Sequence, residues 1–363
     1  MRRKRMKMNR IDVAQVRKPK TPFGVGYSMM GEGQMSFPEI VAKYRESIGE
    51  VYFSFPGVAG GRSALGNESG YTNYHALSIL TEEIKEISRM GIKLDLLFNA
   101  LCDGDDALSV AHERDVVSVL EYLADHGCQP SVVTTASPVT AQIVHRFDES
   151  IDVRASVNMR ISTIKGIQYV EHLFDSFCIF RDINRDLDAL SRISEYLHKN
   201  GKGISILANS GCLRGCSMQT FHDNAVAHEA GIMKKANLPW AGASGCRTYL
   251  RNPAHWTAFL QNTWIRPEDI YHYDGLVDTV KLATRMHALP AMVIDSYVRG
   301  SYSGNLADLF EPGHGPTFAP YVIDNDRFPA DWFEKTTACN KRCEECSYCD
   351  RVRTRVFVNS EEM

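Results

Sequence analysis

The chain has 363 residues, 44% of them hydrophobic and 23% charged, with a net charge of −3. That length supplies a core for one large or two medium domains, and the near-neutral balance excludes a globally basic, nucleic-acid-coating protein. No apolar run approaches the roughly 20 residues that a membrane span needs, so a cytoplasmic protein without a membrane partner is expected.

Residues 1–21 read as a basic, disordered arm. Nine Lys or Arg and a single acid, Asp12, fall within Met1–Lys20, and no apolar stretch follows to make the run a secretory signal. A solvated tail and an RNA- or partner-binding arm are both open. From 22 to 300, short apolar runs alternate with longer helical patterns. The runs are Val51–Phe55, Leu94–Asn99, Ser131–Thr135, Val153–Val157, Phe177–Phe180, Ile204–Ala208 and Val280–Leu282, with an eighth expected near Trp264–Ile270. Between them, His75–Met90, Val110–His126 and Leu187–Lys199 place Leu, Ile and Val at helical spacing. Apolar strands separated by helices imply parallel βαβ units, and eight of them over about 250 residues predict a (β/α)8 TIM-like barrel. The glycine-rich loop Pro56–Arg62 lacks the GxGxxG order of a dinucleotide site; Arg62 is a candidate anion clamp in it. From 301 to 363 the alternation stops, and Gly, Pro and aromatic residues lead into a cysteine cluster. This segment reads as an extension over the barrel mouth, stapled by metal in place of a core of its own.

Ten cysteines in a reducing compartment point to metal before disulfides. Cys102, Cys128 and Cys178 stand alone in apolar context and read as inert core residues. The other seven form two groups. Asn209-Ser210-Gly211-Cys212-Leu213-Arg214-Gly215-Cys216 follows the sixth apolar run, and Cys246 sits in a second small-residue turn. Cys339, Cys343, Cys346 and Cys349 crowd four thiols into eleven residues with spacings of three, two and two. Both groups are candidate ligands of one or two [4Fe–4S] clusters, with zinc an alternative in the extension. Seven thiols are one short of two complete clusters, so either one cluster keeps an iron open to substrate or held by a residue such as His222, or the chain holds a single cluster with spare thiols. The first three tail cysteines also spell CxxxCxxC, the radical S-adenosylmethionine signature, but at the wrong end of the chain for that barrel.

The segment from Asn209 to Cys216, leading into Phe221-His222-Asp223-Asn224, resembles the cysteine-bearing stretch of the collagenase-like peptidases of family U32. Ile265-Arg266-Pro267-Glu268-Asp269-Ile270 resembles that family's Arg-Pro-Glu-Asp segment, and Lys281 with Arg285 its Lys-x-x-x-Arg segment. Arg181-Asp182-Ile183 falls where the family carries Arg-Glu-Leu. The resemblance covers roughly residues 150–310. It implies a (β/α)8-like barrel with a [4Fe–4S] cluster at the strand ends. It also implies either peptidase activity or the oxygen-independent hydroxylation of some members, with prephenate as hydroxyl donor. The chain departs from those members in placing only three residues between Cys212 and Cys216 and in its added tail.

The residues therefore predict an iron–sulfur enzyme of redox or hydroxylating type, acting on an anionic small molecule, an RNA base or a peptide. A peptidase and a non-catalytic iron–sulfur subunit paired with a homologous partner are the alternatives. No HExxH, GxSxG or P-loop is present, His112-Glu113 lacking its second His. The candidate site is His222, Arg62, Arg181, Lys281 and Arg285, with Glu68, Asp182 and Glu268 as available counter-charges.

Overall fold

In the computed structural model, which describes residues 17–56, 73–228 and 245–362, eight parallel strands close into a barrel. They are β1 (Phe23–Gly26), β2 (Ile48–Phe53), β3 (Lys93–Phe98), β4 (Val132–Thr135), β5 (Asp152–Ala155), β6 (Ser176–Cys178), β7 (Gly203–Leu207) and β8 (Thr279–Leu282). Each pairs with the next, and β8 closes on β1. The first seven are followed by α1 (Phe37–Lys43), α2 (Tyr74–Arg89), α3 (Val110–Asp125), α4 (Pro138–Phe147), α5 (Ile164–Val170), α6 (Leu187–Lys199) and α7 (Gln219–Ala227), and β8 by the helix Pro290–Arg299. The (β/α)8 expectation holds. Among the described residues no helix is long and apolar enough to cross a membrane.

The predicted helices form where the spacing places them, because each has a cap and one apolar face. Asn73, Ser109 and Asp186 accept backbone N–H groups at the starts of α2, α3 and α6. Leu80, Ile84 and Ile87 of α2 are fully buried, each burial stabilising the fold by about 1.5–3 kcal/mol.

The eighth strand is not where the sequence suggested. Ile265 donates its N–H to the Ala208 carbonyl at 2.9 Å, but Pro267 then opens a 3-10 segment, Pro267–Tyr273. Arg266 is extended, as a residue before proline prefers, while a proline and two acids suit a helical first turn. The missing strand is β1, whose Phe-Gly-Val-Gly carries two residues of low strand propensity. Those glycines make room inside the barrel. A Cβ at Gly24 would stand 2.7 Å from Glu50 Oε1, and one at Gly26 would stand 2.7 Å from the Tyr52 hydroxyl.

The extension departs from its expected form as well. It contains a two-stranded antiparallel sheet, β9 (Tyr321–Ile323) with β10 (Phe357–Asn359), and helices at Trp332–Thr337 and Tyr348–Val356. Its core is aromatic: Trp256 stacks on Phe357 at 5.0 Å, Trp264 on Trp332 at 5.9 Å, and Phe318 meets Phe259 edge-on at 5.3 Å. The extension thus has an aromatic core, shared with the segment 256–264, where a metal staple in place of a core was expected. Residues 1–16 of the basic arm lie outside the described residues.

Candidate functional site

Each of four apolar strands carries one charged residue into the barrel interior. Arg154 of β5 holds Glu50 of β2 through two hydrogen bonds of 2.6 and 2.9 Å. Asp95 of β3 lies 3.6 Å from Arg154 and 3.6 Å from Lys281 of β8, and accepts from Thr134 at 3.0 Å. Two cations and two carboxylates balance, which is what makes their burial tolerable. Burial would raise the Glu50 carboxyl, but Arg154, helped by Lys281 and Lys93, holds the group below its ordinary value. Asp95 goes the other way. Burial pushes it up to about 6 against the pull of Lys281 and Arg154, and its Oδ1 has no partner among the described residues.

Lys281 links this interior to the barrel mouth. Its ammonium sits 3.8 Å over the Tyr52 ring, and the residue lines a cavity of about 170 Å³ at the carboxyl ends of the strands. Arg181, Arg285, Cys212, His222 and Glu311 line the same cavity. Arg181 comes from the 3-10 turn after β6, is only 5% exposed and stacks 5.3 Å from the Phe180 ring. Among the described residues it makes no ion pair, and its Nε is buried without a partner. Arg285 donates to Ser54. The counter-charges suggested by sequence serve elsewhere: Asp182 accepts the Gly215 N–H, and Glu268 the Tyr302 N–H and the Asn325 amide. Arg62 and Glu68 lie outside the described residues.

The loop bearing Cys212 is clamped by the extension. Asn209 donates to the Ala283 and Leu309 carbonyls and accepts the Ala283 N–H, while the Gly211 N–H donates to the Glu311 carbonyl and the Glu311 N–H to the Asn209 carbonyl. A Cβ at Gly211 would stand 2.2 Å from the Pro312 carbonyl oxygen, so glycine is required there by close packing. His314, buried, is hydrogen-bonded to the Gly211 carbonyl at 3.0 Å; burial lowers its pKa to about 4.

Within each of two sets of cysteines the thiols influence one another's charge. Burial raises the Cys246 thiol, and nearby Cys212 and Cys216 add to the effect. Burial pushes Cys349 up to about 11, opposed by Arg185, while Cys343, Cys339 and Cys346 push it higher. Among the described residues no three His, Cys, Asp or Glu side chains close on a point where a single ion would sit. Thiols as donors suit zinc or iron–sulfur chemistry, but among the described residues they do not converge on a metal position. Cys128 and Cys178 are buried, whereas Cys102 is half-buried.

Sequence reasoning missed Glu50, Asp95 and Arg154. A charged residue between apolar neighbours within each of Ile-Gly-Glu-Val-Tyr-Phe, Lys-Leu-Asp-Leu-Leu-Phe and Asp-Val-Arg-Ala was the available signal. It also missed Asn209 and Gly211 as clamp residues, since their partners lie about 100 positions away.

No family model matches the chain. It is 24% identical over 325 residues to an uncharacterized protease of Methanocaldococcus jannaschii, spanning 86% of this chain and 90% of that protein. A solved U32 peptidase aligns with 74% of this chain and 94% of its own, at 17% identity and a TM-score of 0.47. The chain is thus similar over most of its length to a protein named as a protease.

Proposed function

We propose that this chain is an enzyme whose barrel mouth binds the carboxylate or phosphate of a small anionic substrate and acts on it beside an iron–sulfur cluster held by Cys212, Cys216 and Cys246. The observation that carries the reading is Arg181, a buried cation lining the mouth cavity with no carboxylate paired to it among the described residues. An arginine so placed is costly unless an anion answers it, and its planar fork suits a carboxylate or phosphate. Lys281 and Arg285 add charge on the same cavity, and Glu311 limits the excess. A cluster at the three thiols would supply one-electron redox chemistry next to the bound anion. His222 lines the same cavity and is the candidate there for moving a proton. The same recognition would serve a phosphate of RNA or a peptide carboxylate.

A second reading rests on the name of the Methanocaldococcus relative and on one observation: Cys212 and His222 line one cavity. In a peptidase Cys212 would be the nucleophile and His222 its base. The experiment that decides is a thermal-shift titration of anaerobically purified protein with small dicarboxylates and phosphate, beside an assay with peptides. The anion reading expects a carboxylate or phosphate to raise the melting temperature of the native chain and not that of Arg181→Ala. Peptide cleavage abolished by Cys212→Ser, with no anion effect, would replace it by the second reading.

A further inference from the structure

A second buried arginine lies away from the mouth. Arg185 is 6% exposed, and its guanidinium donates to the Trp264 carbonyl at 2.8 and 3.1 Å and to the Leu260 carbonyl at 3.1 Å. It stacks 4.5 Å over the Trp264 ring and 5.1 Å from the Trp332 ring. Among the described residues no carboxylate pairs with it, and Asp269, the acid whose charge reaches it, is held by Arg266 at 3.0 and 3.1 Å. A guanidinium stays protonated in a protein, so this site holds a permanent charge with neutral partners only. Such a charge needs an anion nearby.

The same arginine lines a cavity with Cys339, Cys343 and Cys349, and Arg214 and Lys341 share that lining. Lys341 pairs with Asp186 at 3.4 Å, whereas Arg214 reaches the Cys343 sulfur, its Nη2 at 3.2 Å from Sγ. Cations are therefore gathered around thiols.

We propose that Cys339, Cys343, Cys346 and Cys349 form a closed metal–tetrathiolate centre, separate from the thiols at the barrel mouth, whose negative charge is the counter-charge of Arg185 and Arg214. The centre takes a thiophilic metal, either Zn²⁺ or a [4Fe–4S] core. On loading, the thiols release their protons, and the thiolates with a doubly charged metal or cubane leave a dianion. That is the charge the two arginines lack; neutral thiols would not supply it. Ligation requires the sulfurs to turn inward, which the exposure of Cys339 and Cys346 permits. Arg214 stands between Cys212 and Cys216 in the chain, so the centre also tethers the mouth loop. The proposal stands without the anion reading of the mouth, because it depends on neither Arg181 nor activity.

The test uses the full chain purified without oxygen, in two arms. In the first, metal and sulfide are counted in a variant with Cys212, Cys216 and Cys246 all changed to Ser. Retention of about one zinc, or about four irons with sulfide, supports the tail centre. A folded variant without metal overturns it. The second arm keeps every cysteine and compares Arg185→Met with the native chain, loaded and stripped by chelator and oxidant. The loaded variant is expected to release metal to a chelator about tenfold faster, as loss of an outer partner does. The stripped variant is expected to melt higher than stripped native protein, since a buried unpaired charge is gone. Equal destabilisation in both states would overturn the counter-charge role, even where a cysteine variant fails to fold.

Discussion

Arg154 and Arg185 are both buried, yet the molecule answers them in opposite ways. Arg154, inside the barrel, is gripped by Glu50 and flanked by Asp95; burial works against its charge, but these carboxylates outweigh burial and strengthen it. Arg185, between barrel and extension, has carbonyls and indole rings, and burial lowers its pKa to about 10. The barrel interior is electrostatically complete by itself. The seam under the extension holds a cation with neutral partners only, and that difference is what the proposed tail centre would answer.

The largest expected effect breaks the complete side. Glu50→Gln leaves Arg154 buried with a neutral partner, and removing one member of a buried pair costs about 3–5 kcal/mol. Urea unfolding should register it. Pairing Glu50→Leu with Arg154→Met should recover most of the loss, because no charge is then left unanswered. A single substitution costing under about 1 kcal/mol would mean that the interior is wetter than its burial suggests.

Next in size is the pH dependence of the clamp. His314 is neutral when folded, with a pKa near 4, and returns to its ordinary value when unfolded. Its contribution is therefore fully present above about pH 6.5 and is lost as pH falls toward 4, by about 3 kcal/mol at most. The native chain should lose more stability between pH 7 and pH 4 than His314→Gln, with the difference read from tryptophan fluorescence on unfolding. Gly211→Ala attacks the same clamp sterically, since its methyl would press on the Pro312 carbonyl from 2.2 Å. A cost of about 1–3 kcal/mol is expected, with earlier proteolytic cutting within 311–362. Unchanged protease resistance would show that the loop 209–212 can yield.

What the sequence made readable follows from range. Leu190, Ile193 and Leu197 repeat within one helix, so periodicity finds α6 to the residue. The four tail cysteines lie within eleven residues, so spacing finds their shared neighbourhood. The strand β1 stays hidden because its glycines are chosen for Glu50 and Tyr52 on another strand, against local propensity. The aromatic core of the extension stays hidden because Trp256 and Phe357, a hundred positions apart, meet only in space. At the mouth, placing Arg181, Lys281 and Arg285 at strand ends suffices to bring them to one cavity. Their true counter-charges need coordinates: Lys281 answers to Asp95, not to any acid near it in the chain.

The smallest expected effect on folding is the most informative one at the mouth. Arg181 resembles Arg185 in being a buried cation without a carboxylate partner among the described residues, but its cavity opens at the strand ends. Arg181→Met keeps most of the apolar stem that packs near Phe180 and removes the charge. The packing lost and the desolvation relieved offset each other, so the free energy of unfolding should change by less than about 1 kcal/mol in either direction. Ligand-dependent stabilisation, by contrast, should vanish, because the anion loses its forked partner. The two quantities are measured on the same sample, by denaturant unfolding with and without a dicarboxylate. A destabilisation of several kcal/mol with ligand response intact would make Arg181 a structural residue like Arg154, and the mouth would then be as self-sufficient as the barrel beneath it.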